Sequence, residues 1–427
     1  MNLFKYLVLT IVSFILVTTT AIAQDDVFYN NIGTAKLYPA GNQTAMPVYN
    51  LSSGDKLILS FDDMDGDVKT YYYTYQLCDV NWQPVDMSQF DYMTGFTQAQ
   101  ITNYKFSYLT TVRYTHYQIS LPEESSLPTR SGNYLVKVFL DGDTSKLAFT
   151  RRMLVLNSKA TVSTQIIQPF GPQFKTHQRL KFTVNIGSIN SFNTSQEIKV
   201  VVIQNYRWDN AQTDVPPTFI RGNSLEYNGD DIFVFPGGNE WRWLDMRSFT
   251  LQSDRIKTAK YKTSETDVYL QKDVDRSALP YVYYTDYDGR YLIATLDNIS
   301  PATQADYATV HFYYVTPNQQ PYADKDVYLF GQLTDYKLND STKLRYNADK
   351  NEYEINKSLK QGYYNYDYLL VDKKDPTQIT YTNGNFFETQ NRYTILVYYK
   401  SFSDQTDQLI GIANVNSKDN SSGNNFQ

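Results

Sequence analysis

Alternation of apolar and polar side chains with a period of two runs through this chain wherever a regular pattern is visible. In residues 71–78 (YYYTYQLC) and 134–140 (YLVKVFL), one face of each segment is wholly apolar. Residues 310–315 (VHFYYV) and 395–399 (ILVYY) are almost continuously apolar. The first pattern is typical of half-buried β-strands and the second of central strands. No stretch keeps a period of 3.6 residues for three turns, so the sequence predicts an all-β protein with short helices at most.

Turn-forming dipeptides separate several of these strands. Asp141-Gly142, Asp288-Gly289 and Asn383-Gly384 are pairs that favour two-residue hairpin turns. Blocks of about 100 to 150 residues are large enough for β-sandwiches. The sequence therefore predicts tandem β-sandwich domains of the immunoglobulin-like kind.

Composition shifts and the first residues suggest how the chain is divided. Lys5 precedes an apolar run that ends in the small-x-small sequence of residues 21–23, as in a secretory signal peptide. The tail is polar and poor in apolar residues. The predicted divisions are a signal peptide at 1–23, an N-terminal β-sandwich domain at 24–157, a middle β domain at 158–315 with a long loop at 208–238, a C-terminal immunoglobulin-like domain at 316–414, and a disordered tail at 415–427.

Charge and hydropathy limit the partners of the mature chain. Removing Lys5 from the 39 basic residues leaves 38 against 45 acidic residues, a net charge of −7. This balance argues against binding to nucleic acid and offers no basic patch for anionic lipid. No segment after the signal peptide reaches about 18 apolar residues, so no direct membrane insertion is expected. A soluble protein of an extracytoplasmic space is the expectation.

Residues that carry catalytic or metal chemistry form no clear pattern. The three histidines, at 116, 177 and 311, lie far apart, and no nucleophile elbow or zinc motif is present. Cys78, the single cysteine, lies on an alternating strand and is expected to be buried and inert. Residues 62–67 (DDMDGD) resemble the start of a calcium loop but lack the later bidentate acid, so a calcium site and a tight acidic turn both remain open. We expect no catalytic residue, no cofactor and no small-molecule ligand.

Residues 238–249 (GNEWRWLDMRSF) combine two tryptophans, two arginines and two acids after a turn. At a strand period of two, Trp241 and Trp243 share one face. Glu240 and Arg242 share the other, within pairing distance. The block is either a well-anchored sandwich strand or part of a family signature.

Four stretches of the chain form a recognisable set. The stretches are residues 78–82 (CDVNW) with Gly95-Phe96; residues 114–117 (YTHY), Leu121-Pro122 and residues 131–134 (SGNY); residues 238–249 with residues 288–291 (DGRY); and residues 327–331 (VYLFG), 362–364 (GYY), 393–399 and 407–411 (DQLIG). They cover nearly the whole mature chain, and their order is more specific than any single motif. Together they resemble one family, the plug protein of the type IX secretion system of Bacteroidetes-type bacteria.

The resemblance implies a periplasmic, non-enzymatic protein associated with the outer membrane. In this family the plug binds the periplasmic opening of the giant translocon barrel and blocks its pore, which implies a one-to-one complex with that barrel. A wide aqueous pore requires a rigid body that presents a large complementary surface.

A secreted or periplasmic glycan-binding protein is the alternative. The 39 tyrosines of the chain suit half-wet sheets, contact surfaces and glycan binding alike. The predicted C-terminal domain is also similar to the early-set, immunoglobulin-like sandwiches used as glycogen-binding modules. Those modules usually stack sugar on tryptophan, whereas this domain offers Tyr336 and all four tryptophans precede residue 244. We therefore expect a shared fold rather than a shared ligand.

Exposed aromatic and arginine side chains are expected to anchor a partner. The loop at 208–238, which the prolines at its centre stiffen, is the preferred place for a partner-facing segment. The predicted partner-binding residues are Trp208, Pro216, Pro217, Phe219 and Arg242.

Overall fold

The computed structural model describes residues 24–297 and 299–419 and confirms an all-β fold built of β-sandwiches. The α-helices of these residues are single turns, α1 (Thr194–Glu197) and α2 (Pro301–Gln304). Four 3₁₀ turns span Gln89–Asp91, Gly171–Gln173, Trp208–Asn210 and Gln332–Thr334. The predicted signal peptide and residues 420–427 of the predicted tail lie outside the described residues.

The strands follow one another in chain order with these bounds. Up to residue 157 they are β1 (Asp26–Val27), β2 (Ile32–Pro39), β3 (Val48–Asn50), β4 (Leu57–Asp63), β5 (Tyr71–Cys78), β6 (Met93–Gly95), β7 (Gln98–Gln100), β8 (Tyr104–Phe106), β9 (Thr115–Leu121), β10 (Ser126–Pro128), β11 (Gly132–Leu140) and β12 (Leu147–Leu156). Up to residue 237 they are β13 (Thr161–Ile167), β14 (His177–Asn185), β15 (Ile198–Gln204), β16 (Phe219–Arg221), β17 (Ser224–Tyr227) and β18 (Val234–Pro236). The remainder are β19 (Arg242–Asp245), β20 (Ile256–Tyr261), β21 (Thr266–Leu270), β22 (Asp273–Val274), β23 (Tyr291–Ile293), β24 (Tyr307–Val315), β25 (Lys325–Phe330), β26 (Arg345–Asn347), β27 (Glu352–Lys360), β28 (Gly362–Asp372), β29 (Ile379–Tyr381), β30 (Arg392–Tyr399) and β31 (Gln408–Asn416).

Residues 24–157, the N-terminal unit, form a sandwich of two main sheets. One sheet has the order β1-β12-β11-β5-β7, with β3 parallel to β12, and the other has the order β2-β4-β9-β8. The alternating tyrosines of β5 point into the core between the sheets, where Tyr71, Tyr73 and Tyr75 are fully buried. Tyrosine fills this core because a large ring can be buried if its hydroxyl reaches a partner, and Tyr71 donates to Asp63 Oδ2 at 2.9 Å.

The middle unit consists of residues 158–237 and 390–419, which are far apart in the chain. Its first sheet has the order β13-β14-β17-β16, with β18 also paired to β14, and its second has the order β15-β30-β31. Ile198 of β15 pairs with Tyr399 of β30, and side chains from both segments share one apolar core. The sandwich is therefore incomplete without the C-terminal strands.

Residues 238–389 form the inserted unit, which interrupts the middle unit. One sheet has the order β20-β21-β24-β27-β26, with β22 also paired to β24. In the other layer, β28 pairs with β19, β23, β25 and β29. Its core runs from Leu244 to Leu370 and is separate from the core of the middle unit.

The predicted divisions at 158–315 and 316–414 do not match these cores. Residue 315 falls at the end of β24, inside the inserted unit, where β24 pairs with β27 along its length. This division was not predictable, because the pairing of β15 with β30 joins strands about 190 residues apart and non-local pairing leaves no mark on local composition.

Three smaller expectations also need correction. The predicted loop 208–238 contains β17 and β18, which pair with β14, so its second half belongs to a sheet. The predicted tail begins too early, because Val415 and Asn416 complete β31 against β30. Of the three predicted hairpin turns, Asp141-Gly142 joins paired neighbours, β11 and β12, whereas the other two connect strands that do not pair with each other.

Candidate functional site

Three connections of the middle unit meet at one end of its sandwich. Asn185 at the end of β14 pairs with Ser224 at the start of β17, and Ile198 at the start of β15 pairs with Tyr399 at the end of β30. The connections are residues 186–197, 222–223 and 400–407. The backbone N–H of Ile186 donates to Asn223 O at 3.0 Å, so the first two touch.

This end of the middle unit carries unusually exposed apolar side chains. Phe192 and Phe402 are fully exposed, and both line a groove of about 790 Å³. Phe219 on the edge strand β16 is 54% exposed, and Ile220 beside it is also exposed. We call these four residues the loop surface. Phe192 and Phe402 line the same groove, and grouped exposed apolar side chains mark contact sites more often than scattered single residues do.

Glu197 anchors the loops that carry Phe192 and Phe402. Its buried carboxylate accepts hydrogen bonds from Ser191 Oγ (2.6 Å) and from the backbone N–H of Phe192 (3.1 Å). Its carbonyl accepts from the backbone N–H of Lys400 at 2.8 Å, two residues before Phe402. Both loops are thus anchored behind the rings that they present.

The structure separates the predicted partner-binding residues into two groups. Phe219 and Pro216 are exposed on the segment that leads into β16, and Pro217 is half-buried there. Trp208 instead packs edge-on against Trp82 of the N-terminal unit, with ring centres 4.9 Å apart. Trp208 is half-buried in a core shared by these two units, so it joins them rather than standing free for a partner.

Arg242 was predicted to face a partner, and its position does not agree with that expectation. Its side chain is 4% exposed and lies in the inserted unit. It pairs with Asp273 at 2.9 Å and donates to Val274 O at 2.6 Å. Nor does it pair with Glu240, whose carboxylate accepts from Tyr281 and from the backbone of Gln390. The strand buries its charged face because acids of neighbouring segments neutralise the arginine.

Phe192 and Phe402 were missed in the sequence, although a signal was present. Each is a single large apolar residue inside a polar connection, in the sequences Asn190-Ser191-Phe192-Asn193 and Ser401-Phe402-Ser403. An aromatic residue that is flanked by turn-forming residues lies in a loop, where its side chain is expected to stay at the surface rather than in a core.

The N-terminal and inserted units meet at a buried ionic cluster. Asp62, almost fully buried, accepts from Lys360 Nζ and from the Tyr307 hydroxyl, each at 2.7 Å. Its other oxygen lies 2.7 Å from His116 Nδ1. Burial alone would raise the pKa of Asp62, but Lys360 and His116 outweigh it and hold the pKa below its ordinary value. The carboxylate is therefore ionised and locks the two units together.

Further hydrogen bonds and an ion pair tie all three units to one another. Between the N-terminal and inserted units, Asp306 accepts from the backbone of Thr111 (2.6 Å) and Val112 (3.0 Å). Between the N-terminal and middle units, Tyr398 donates to Asn133 Oδ1 at 2.8 Å. Between the middle and inserted units, Arg392 and Asp288 lie 3.6 Å apart. The three units thus share polar as well as apolar contacts.

The acidic turn that resembled a calcium loop brings Asp63, Asp65 and Asp67 together, a group that could hold a metal ion. The ammonium of Lys69, however, lies 2.8, 2.6 and 2.9 Å from these three carboxylates. Although burial lowers the pKa of Lys69, hydrogen bonds to the three acids raise it above its ordinary value. A built-in cation therefore occupies the position that calcium would take, which favours the acidic-turn interpretation.

The aromatic side chains that could stack on a sugar lie in packed surroundings. Tyr336 is half-buried between Phe330 and Trp241, with ring centres 5.5 and 6.5 Å away. Trp82 and Trp241 are buried, and Trp243 packs against Tyr284. None of these rings forms an open platform.

Cys78 is buried, as its alternating strand predicts. Burial raises the pKa of its thiol to about 12, so the thiolate is not formed near neutral pH.

Comparisons with known proteins support the resemblance to the plug family. Residues 32–157 match the family model described as the type 9 secretion system plug protein 1st domain. A crystal structure of a hypothetical protein from Parabacteroides merdae ATCC 43184 is similar to this chain, with a TM-score of 0.88 and 30% sequence identity. The alignment covers 93% of this chain and 100% of that chain. A comparison with curated proteins found no match. Among the described residues, no helix is long and apolar enough to cross a membrane.

Proposed function

Because the chain belongs to the family of type IX secretion system plug proteins, we propose that it binds the giant translocon barrel in the periplasm and occludes its pore. The proposed complex contains one plug for each barrel and preserves the outer-membrane barrier. The role is structural, because neither the family nor the β-sandwich fold is an enzymatic kind.

The observation that carries this proposal is the interlocking of the three units. A body that closes a wide pore has to keep its shape when the pore changes state. Asp62 of the N-terminal unit and Lys360 of the inserted unit form an ion pair across the junction of these units. Both side chains are about 1% exposed. The middle unit is closed by strands from both sides of the inserted unit. These contacts favour one rigid body over three flexibly linked domains.

The loop surface is the part of the body that we propose meets the barrel. Phe192 and Phe402 remain fully exposed in the folded chain, so their rings bury no apolar surface on folding. Burying a phenylalanine against a partner contributes about 1.5–3 kcal/mol. Phe219, predicted from the sequence as a contact residue, lies at the same end of the middle unit.

A permeability measurement tests occlusion in cells. Deletion of the gene is expected to admit large antibiotics and to release periplasmic proteins, because the pore loses its cover. Complementation with the wild-type chain is expected to restore the barrier, and so is the control variant Phe90→Ser, which alters an exposed ring of the N-terminal unit. The double variant Phe192→Ser/Phe402→Ser is expected to leave the barrier open. An unchanged barrier after deletion would contradict the proposal.

Glycan binding is the other candidate, and no observation favours it. Tyr336, the residue that its sandwich would use for stacking, is packed against Phe330 and Trp241. Calorimetric titration with starch, glycogen and peptidoglycan fragments checks this directly, and the plug proposal expects no heat of binding at millimolar ligand.

A further inference from the structure

A charged cleft of about 660 Å³ lies where the three units meet. Lys36 and Arg151 line it from the N-terminal unit, Tyr206 and Trp208 from the middle unit, and Arg290 from the inserted unit. Its volume is within the range of small-molecule sites. Burying a charge without a partner costs free energy. The charged groups of the cleft that lack a partner therefore indicate which charge a ligand of the cleft would carry.

The carboxylates of the cleft already have partners within the protein. They are satisfied by guanidinium, ammonium or backbone groups nearby. The pairs are Asp335 with Arg151 (3.6 Å), Asp26 with Lys337, Asp209 with Arg207 (2.6 Å), and Asp25 with the backbone N–H of Arg152 (2.6 Å).

Two buried cations of the cleft have no carboxylate partner among the described residues. Lys36 is 4% exposed; its Nζ donates to Tyr291 O at 2.5 Å and lies 3.9 Å from the centre of the Tyr291 ring. Arg290 is 6% exposed and stacks over Tyr206 at 4.0 Å. Its Nη1 is buried and has no hydrogen-bond acceptor within the described part of the chain.

The surroundings of both cations act against their charge. Burial, with further contributions from Arg290 and Arg151, lowers the pKa of Lys36 well below its ordinary value. Burial also lowers the pKa of Arg290. Asp288, whose charge acts on Arg290, is shared with Arg392 at 3.6 Å. An added anion would relieve this excess of positive charge.

We propose that the junction cleft binds a small oxyanion, a carboxylate or phosphate group, held by Lys36 and Arg290. Guanidinium groups suit oxyanions because their N–H donors match two oxygens at once. Lys36 belongs to β2 of the N-terminal unit and Arg290 directly precedes β23 of the inserted unit, so the bound anion joins these two units. The site is independent of the loop surface and does not rest on the plug role.

Calorimetric titration of the purified chain with sodium phosphate and with sodium citrate tests the site, with sodium chloride at matched ionic strength as reference. The wild type is expected to bind one phosphate or one citrate saturably. Binding of phosphate but not of citrate identifies a phosphate ligand, and binding of citrate but not of phosphate identifies a carboxylate ligand. Arg290→Gln and Lys36→Met should each weaken this binding about tenfold or more, because each removes a buried charged donor. The matched control Arg221→Gln alters a 72% exposed arginine and should bind as the wild type does.

Two outcomes would overturn the proposal. One is a wild-type response to both anions no larger than that to chloride. Another is binding retained within twofold in both folded variants, as judged by circular dichroism. If either variant does not fold, the other variant and the wild-type titration still decide. The measurement uses no membrane component, so its failure would leave the plug proposal untouched.

Discussion

The junction between the N-terminal and inserted units buries charged side chains, whereas the loop surface of the middle unit exposes apolar ones. At the junction, Asp62 and Lys360 are both about 1% exposed and form a buried ion pair. At the loop surface, Phe192 and Phe402 are fully exposed, and no apolar neighbour covers them among the residues that the structure describes. The Asp62–Lys360 pair completes its contacts within one molecule, whereas the two phenylalanine rings do not.

This difference separates stability from recognition. Substitutions at the junction should unfold or loosen the body, because they leave a buried charge without its partner. Substitutions at the loop surface should leave folding unchanged and alter only binding, because exposed side chains contribute little to the native state.

The largest effect is expected from Lys360→Met at the junction. Removing one member of a buried ion pair costs about 3–5 kcal/mol, because Asp62 stays buried without its main counter-charge. Urea unfolding monitored by tryptophan fluorescence gives the free energy of unfolding. The matched control Lys146→Met breaks an exposed pair with Asp141 and should cost less than about 1 kcal/mol. Equal losses in the two variants would remove the distinction between the regions.

The next effect belongs to the loop surface. Phe192→Ser/Phe402→Ser should weaken binding to the purified barrel about 100-fold or more, since each ring contributes about 1.5 kcal/mol or more when buried. Its free energy of unfolding should stay within about 0.5 kcal/mol of the wild type. Phe90→Ser, which alters a 78% exposed ring of the N-terminal unit, is the control and should bind normally. Wild-type binding by the double variant would move the contact elsewhere on the body.

Acid should loosen the junction before it affects the loop surface. The pKa of Asp62 is lowered in the folded chain because Lys360 and His116 outweigh the effect of its burial. A carboxyl with a lowered pKa stabilises the fold above its unfolded pKa of about 3.9, and this contribution is lost as the pH falls through the folded value. Unfolding free energies between pH 6 and pH 3 should therefore fall more steeply for the wild type than for Asp62→Asn. Parallel curves would show that Asp62 does not carry this dependence.

The smallest effect concerns the acidic turn. Calcium should not change the thermal midpoint of the wild type, because Lys69 already neutralises Asp63, Asp65 and Asp67. In Lys69→Met the three carboxylates lose their cation, and millimolar calcium should raise the midpoint by a measurable amount. Scanning calorimetry with and without calcium checks both variants, and magnesium serves as the control ion.

Local patterns in the sequence predicted the strands well, because side-chain alternation is a local property. The segment 71–78 is β5, and the runs at 310–315 and 395–399 lie within β24 and β30. The inserted unit was not predictable in this way, since the pairing of β15 with β30 depends on residues about 190 positions apart.

The candidate site was predictable only in part, for a similar reason. Phe219 follows two prolines and is exposed, as a stiff surface segment suggests. Arg242 looked equally suitable, but Asp273 arrives from another strand and buries it. Phe192 and Phe402 come from loops that meet only after β15 and β30 have paired, so their closeness could not be read from either loop alone.

The most direct test of the central claim is capture of the membrane partner by the tagged mature chain. Native outer membranes are solubilised in mild detergent, and the captured proteins are quantified by mass spectrometry. The plug account predicts recovery of a giant outer-membrane barrel at a ratio near one to one. Recovery of the tagged chain with no membrane partner would contradict it.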